Sequence, residues 1–515
     1  MKRFLRISII LIMCLAVFCA CNSASPENKV DTESLDDLPV LYINTVNEDA
    51  NNMDFVTKPI AAHVSESIAS WTPGYVIPPA PYYEDCIVTL EDKGNTLLLD
   101  NAQVKVRGNW TTSYDKKPLR IKFENAQSVL GLNDGNKYKN WVLLAEYKDA
   151  SMLRNKAALT ISREILGTDG LYASDAALVE VVINGEYWGV YLLAEQQQIE
   201  HSRVDITKAA EGYTGTDIGY FLEFDGYAWT EAPLQSFYIS YADNAPLTPF
   251  TGKEGRRGFK YNGESGITIK NDIYSEDQKM FISSYVGNVY KIMHRAAYDN
   301  EAYVFNETYT AIMKTEDITP REAVERVVNV QSLVDVYILN ELFCDADVYF
   351  SSFFMSVDFG PGGDKKLTFQ APWDFDSGLG NKNRCIDGTG FYAANGVPNV
   401  NEQPDENVAF QNINPWLAVL IHEDWMQEAI RETWTKVYDD GVFERAFTMI
   451  EEDKLAYQDA FLRNYDKWDN IINNGAIVSE LSEPAAACKT QAEAADFLLV
   501  WLQSRVEFLN GQWHK

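Results

Sequence analysis

Histidine is scarce in this 515-residue chain: there are five, none of them clustered. No Gly-x-Ser-x-Gly, His-Glu-x-x-His or Walker-type glycine loop occurs. Those gaps argue against Ser–His–Asp hydrolysis, zinc-activated water and P-loop nucleotide chemistry. Cysteine is thin too. Beyond residue 21 only Cys86, Cys344, Cys385 and Cys488 remain, with no Cys-x-x-Cys spacing, which excludes a disulfide scaffold. A Cys344–Cys385 bridge and unpaired buried thiols are the two readings left open for that pair. Positive charge is in deficit, 44 Lys and Arg against 75 Asp and Glu, for a net charge of −31. Such a surface repels nucleic acid and anionic lipid, so neither is expected as a partner. No apolar run after the first twenty residues is long enough to span a membrane, and no internal repeat is visible.

What is present begins with an address. Lys2, Arg3 and Arg6 precede an apolar run, Ile7 to Ala20, broken only by Ser8. Residues 1–20 therefore read as a signal peptide. Ala20-Cys21 followed by polar residues resembles a bacterial lipobox, with Cys21 lipidated; plain secretion is the alternative. Residues 21–37 are small, polar and acidic, a flexible stalk. The expected location is the bacterial cell envelope, outside the cytoplasm, with membrane contact only through that anchor.

The body, 46% hydrophobic and 13% aromatic over the whole chain, can fill a large core of α+β class. Residues 38–197 read as strand-rich with one helix, and 198–515 as mainly helical. In Leu119-Arg120-Ile121-Lys122-Phe123 the apolar residues alternate with cations, so one strand face is core and the other basic. In so acidic a chain that face asks for an anion, either the protein's own carboxylates or a phosphate. Asn184-Gly185 between two strand-like runs predicts a hairpin.

Residues 369–381 hold two carboxylates, Asp374 and Asp376, in Pro-Trp-Asp-Phe-Asp-Ser-Gly-Leu-Gly. On extended backbone i and i+2 share a face, so the pair could converge on a hard cation such as Mg²⁺ carried by phosphates. Asp347 lies where a helix ends, and Ser352 follows five residues later. An acid, a polar ligand about five residues on and a metal-binding Asp roughly twenty further is the order that phosphoryl transfer uses in kinases.

With Arg107-Gly108-Asn109, Lys116-Lys117-Pro118-Leu119-Arg120-Ile121-Lys122, Val182 to Leu192, Asp347 to Met355 and Pro372 to Asp376 in that order, the chain resembles the spore-coat CotH family of atypical kinases. The resemblance implies an atypical protein-kinase-like two-lobed fold, with a strand-rich N-lobe (38–197) that holds nucleotide and a mainly helical C-lobe (198–515). It implies metal-dependent transfer of the ATP γ-phosphoryl group to a protein hydroxyl, with Mg²⁺ or Mn²⁺. Asp347 would be the catalytic acid, Asp374 and Asp376 the metal ligands, with Ser352 standing where a kinase carries Asn. Lys117 or Lys122 would hold phosphate, Arg107 and Asn109 would cover it, and Glu195 and Gln196 would sit near the adenine. The phosphoacceptor is not named by the sequence. The other reading is a non-catalytic surface protein that binds a protein or glycan through the aromatic-flanked loop 386–411.

Overall fold

The computed structural model describes residues 35–47, 53–241, 247, 250, 263–383, 386–394 and 413–515. Cys21, the signal segment and residues 21–34 of the stalk lie outside the described residues, as do Cys385 and most of the loop 386–411. No helix among the described residues is long and apolar enough to cross a membrane.

The chain is α+β. Seven strands close on themselves: β1 (Val40–Thr45), β2 (Glu84–Asp92), β3 (Asn95–Val106), β4 (Leu119–Gln127), β5 (Tyr138–Leu144), β6 (Ala176–Ile183) and β7 (Glu186–Glu195), in the order β1-β2-β3-β4-β5-β7-β6. Closure is made by β1 lying parallel to β6, with Leu41 opposite Val181. The sequence reading saw the strands but not the barrel. Closure depends on that one long-range pairing, and local alternation carries no sign of it.

Period-2 alternation fills the barrel. Val104, Leu119, Ile121, Phe123, Trp141, Leu143, Tyr191 and Leu193 point inward to one buried cluster. The intervening residues of β5 and β7, among them Val142, Leu144, Val190, Leu192 and Ala194, join a second, larger core outside the barrel. Burial on both faces explains why β7 reads as a nearly unbroken apolar run. The predicted hairpin is there: Asn184 and Gly185 join β6 to β7 with φ of 50° and 77°, the left-handed pair that a tight antiparallel turn needs.

The second core is built by an antiparallel sheet and helices. Its strands are β8 (Gly219–Phe224), β9 (Ser236–Ser240), β10 (Glu264–Ile269), β13 (Phe353–Asp358) and β14 (Thr368–Phe369), in the order β14-β13-β8-β10-β9; β11 (Ala302–Phe305) and β12 (Ile312–Thr315) form a separate hairpin. Around them pack the helices Arg154–Gly167, Glu276–Asp299, Val330–Phe343, Asp424–Asp439, Val442–Ala456 and Gln491–Trp513. Glu276–Asp299 starts with a reciprocal cap between Ser275 and Gln278. One more helix, Gln458–Lys467, crosses back to the barrel. Its Asn464 accepts from the Val190 amide (3.1 Å) and from Lys116 (2.9 Å). Gly189, at φ +111°, permits the approach: a Cβ there would stand 2.6 Å from Asn464 Oδ1.

Candidate active site

A cleft of about 600 Å³ is lined by residues of the barrel loops, by β8 and β13, by Lys270 just after β10, and by the segments around Asp347 and Asp374. Asp347 follows the helix Val330–Phe343, whose last turn stops at Cys344 in a left-handed conformation. Its amide donates to Asp345 Oδ1 (2.9 Å), which fixes the turn. Lys382 approaches its carboxylate at 3.5 Å. Burial raises the Asp347 carboxyl, but Lys382 and Lys148 outweigh it and hold it below its ordinary value.

Asp374 and Asp376 reach the same cleft by a route the sequence reading did not foresee. The backbone is not extended there. Asp374 sits at φ +72°, and Phe375–Ser377 is a single 3-10 turn. Two contacts hold this conformation, which is costly for a non-glycine residue. The Phe375 amide donates to Asn155 Oδ1 (2.8 Å), and the Phe375 ring packs on Phe343 at 4.9 Å. Asn381 then closes the loop by donating to the Asp376 carbonyl (2.7 Å). Burial, then Asp376, pushes the Asp374 carboxyl up to about 7, against the pull of Lys148 and Arg107.

The cation among these acids is Lys148, which sequence reasoning missed. It follows β5 in a loop, with 6% of its side chain exposed, and bonds Asp376 Oδ1 (2.9 Å) and Ser377 Oγ (2.7 Å). Burial alone would discharge it, yet Asp376, Asp347 and Asp374 hold its ammonium well above the ordinary value. Glu146, two residues earlier, is buried and takes both hydrogen bonds of the Asn155 amide (3.0 and 3.2 Å). Burial and the nearby Asp149 and Asp376 push Glu146 strongly toward its neutral form. The one signal in the sequence was Glu146-Tyr147-Lys148-Asp149, charged residues between an apolar strand and a helix start.

The remaining predicted residues divide. Arg107 and Asn109 line the cleft, with Arg107 over the Trp373 ring at 5.8 Å. Ser352 lines it too, at φ +62°, with its amide on Glu223 Oε1 (3.1 Å) and its hydroxyl 3.4 Å from Asp374 Oδ2. Glu223 in turn pairs with Lys270 (2.8 Å).

Three others stand elsewhere. Lys117 is buried and donates to the carbonyls of Thr112 (2.6 Å) and Tyr114 (2.9 Å), and burial brings it down to about 8. Lys122 is exposed on the outer face of β4, away from the cleft lining. Glu195 is wholly buried, paired with Arg203 (3.0 Å) and bonded to Asn133 (2.6 Å) and the Asp175 amide (3.0 Å). None of the three lines the cleft. Gln196 and Gln197, the next two residues, do line the cleft.

This is an α+β chain with one charge-crowded cleft that gathers three aspartates around a lysine. A family model described as CotH kinase protein matches residues 104–509, so the chain belongs to the CotH kinase family. No curated protein matches it.

Proposed function

We propose that the protein is an ATP-dependent phosphotransferase of two-lobed, kinase-like build, which phosphorylates a protein hydroxyl outside the cytoplasm. The barrel is one lobe, and the second sheet with its helices is the other. The observation that carries this reading is the convergence of Asp347, Asp374 and Asp376 on Lys148 within a single cleft. Family membership supports ATP and a divalent cation as its needs.

The residues suit a divalent cation such as Mg²⁺ or Mn²⁺. Asp374 is held high by burial and by its acidic neighbours, a repulsion that a cation relieves. Among the described residues no group of three or more His, Cys, Asp or Glu is arranged to hold a metal. Phosphate oxygens and water would therefore complete the shell, which is how Mg²⁺ is ordinarily carried. The cation supplies charge neutralisation on the phosphates. Lys148 and Arg107 add positive charge beside them. Asp347 orients the acceptor hydroxyl and takes its proton as that oxygen bonds to the γ-phosphorus and ADP departs. Ser352 offers a hydroxyl to the second ligand position, a weaker donor than an amide oxygen.

Thermal unfolding of the full chain with ATP and Mg²⁺ or Mn²⁺ tests the nucleotide site. A metal-dependent rise in Tm that Asp374→Asn abolishes is the expected result. Transfer of labelled phosphate to the chain itself or to a general protein acceptor should then fall at least a hundredfold in Asp347→Ala, and a loss under roughly tenfold removes Asp347 from this role. No shift at millimolar ATP favours the non-catalytic surface-binding reading.

A further inference from the structure

Two cations at the edge of the cleft, Lys105 and Arg120, form no ion pair among the described residues, while Arg107 beside them feels Asp374 and Glu223. Lys105 on β3 and Arg120 on β4 are direct cross-strand partners. Val104 and Val106 point into the barrel, so Lys105 and Arg107 leave it on the outer face. The nearest ring and amide contacts of all three are neutral, although Asp374 and Glu223 also act on Arg107. Lys105 lies over the Tyr83 ring at 4.8 Å, Arg107 over Trp373 at 5.8 Å, and Arg120 donates to Asn140 Oδ1 at 2.9 Å. None of the three forms an ion pair among the described residues, and Arg120 Nε is buried without a hydrogen-bond partner. Burial first, then Arg120 and Arg107, hold Lys105 below its ordinary value, so the three repel one another.

In a chain with 75 acidic residues, no carboxylate among the described residues pairs with Lys105 or Arg120. An unmatched, partly desolvated set of cations costs stability unless a ligand supplies the charge. A lysine and an arginine facing each other on neighbouring strands suit a phosphate, which accepts forked and point-charge donors together.

We propose that Lys105 and Arg120, next to Arg107, form an anion subsite at the cleft edge that takes a phosphate group carried by the acceptor. Only Arg107 reaches the cleft lining; Lys105 and Arg120 stand outside it. The anion is therefore placed beside the nucleotide's space rather than in it. An acceptor already phosphorylated near its target hydroxyl would be held with that hydroxyl presented to the cleft. This rests on the kinase reading for the word acceptor, while the anion subsite stands on its own geometry.

The probe is casein, in its native phosphorylated form and after enzymatic dephosphorylation, titrated against the full chain by fluorescence anisotropy. The chain's net negative charge suppresses nonspecific adsorption of either form. Wild type should bind the phosphorylated form at least tenfold more tightly. The Lys105→Gln/Arg120→Gln double variant should lose that preference and keep the ATP- and metal-dependent rise in Tm. Equal binding of the two caseins by wild type, or an unchanged preference in the variant, overturns the subsite. Loss of the ATP response in the variant also overturns it, because the cations would then belong to the nucleotide. A phosphate preference in a wild-type chain with no ATP response keeps the subsite and removes the kinase reading instead.

Discussion

Two buried ionic clusters in this protein are built by opposite rules. In the first, Glu341 on the helix Val330–Phe343 meets Arg505 on the helix Gln491–Trp513, and both side chains are fully buried. Oε1 accepts from Arg505 (2.6 Å) and the Tyr392 amide (2.5 Å), and Oε2 from Tyr337 (3.1 Å) and the Ala393 amide (3.0 Å). Arg505 also donates to the carbonyls of Glu341, Gly388 and Gly390. One charge answers one charge, and every carboxylate oxygen has two donors. In the cleft, Asp347, Asp374 and Asp376 share Lys148, with Lys382 3.5 Å from Asp347 and Arg107 acting on Asp374, yet burial and Asp376 still push the Asp374 carboxyl up to about 7. Burial does not separate the two places; how closely each acid is matched does. A satisfied pair staples elements together, whereas an acid without a close cation of its own leaves work for a ligand.

The sharpest way to break the comparison is to unbalance the first cluster. Arg505→Met leaves Glu341 buried without its cation, and stability should fall by about 3–5 kcal/mol in urea unfolding. Adding Glu341→Gln should recover part of that, since an uncharged amide no longer needs the guanidinium. If the double variant is as unstable as the single one, Arg505 acts through packing, not charge.

Within the cleft the same operation should give effects of opposite sign. Lys148→Met removes the ammonium among three carboxylates and should lower stability by about 1–3 kcal/mol, with Mg²⁺ or Mn²⁺ restoring part of it. Asp374→Asn relieves repulsion, so its stability should hold level or rise by up to about 1 kcal/mol while the response to metal and ATP disappears. Equal destabilisation by both variants would mean that the acids are ordinary structural partners of Lys148.

The order of chemistry-bearing residues was legible from the chain; their geometry was not. Asp347, Ser352, Asp374 and Asp376 could be marked because kinase chemistry spaces such groups along the sequence. That Asp374 and Asp376 meet through a left-handed residue and a 3-10 turn depends on Asn155, some 220 positions away, holding the Phe375 amide. Alternation along β4 correctly divided core from outer face but could not say which outer residues adjoin the cleft. Lys122 does not line it, and Lys148, with no periodic context, does. Glu195 was placed by analogy of order. Its partner Arg203 lies only eight residues on, but across an irregular connection that no helix or strand period relates. Local pattern fixes faces, and tertiary closure decides what each face meets.

A third buried acid offers a milder version of the same contrast. Asp335, on the helix that carries Glu341, accepts from Gln331 at 2.8 Å through Oδ1, while its buried Oδ2 receives no donor. A proton on Asp335 would let it donate to the neighbouring Asp169 carboxylate. Burial first, with Asp169 adding to it, pushes the Asp335 carboxyl up to about 8. The unfolded chain releases this proton near the ordinary value of 3.8, so between there and about 8 the folded state holds more protons. Stability from this group is therefore full below the unfolded value and is lost as pH rises through that window. Asp335→Asn keeps the side-chain shape and offers Asp169 a permanent donor. Its stability relative to wild type should grow from pH 5 to pH 8, by about 1–3 kcal/mol once the shift is discounted for relaxation. Parallel stability–pH curves for the two proteins would show that Asp335 ionises normally, and that an acid with one unmatched oxygen can stay charged inside this core.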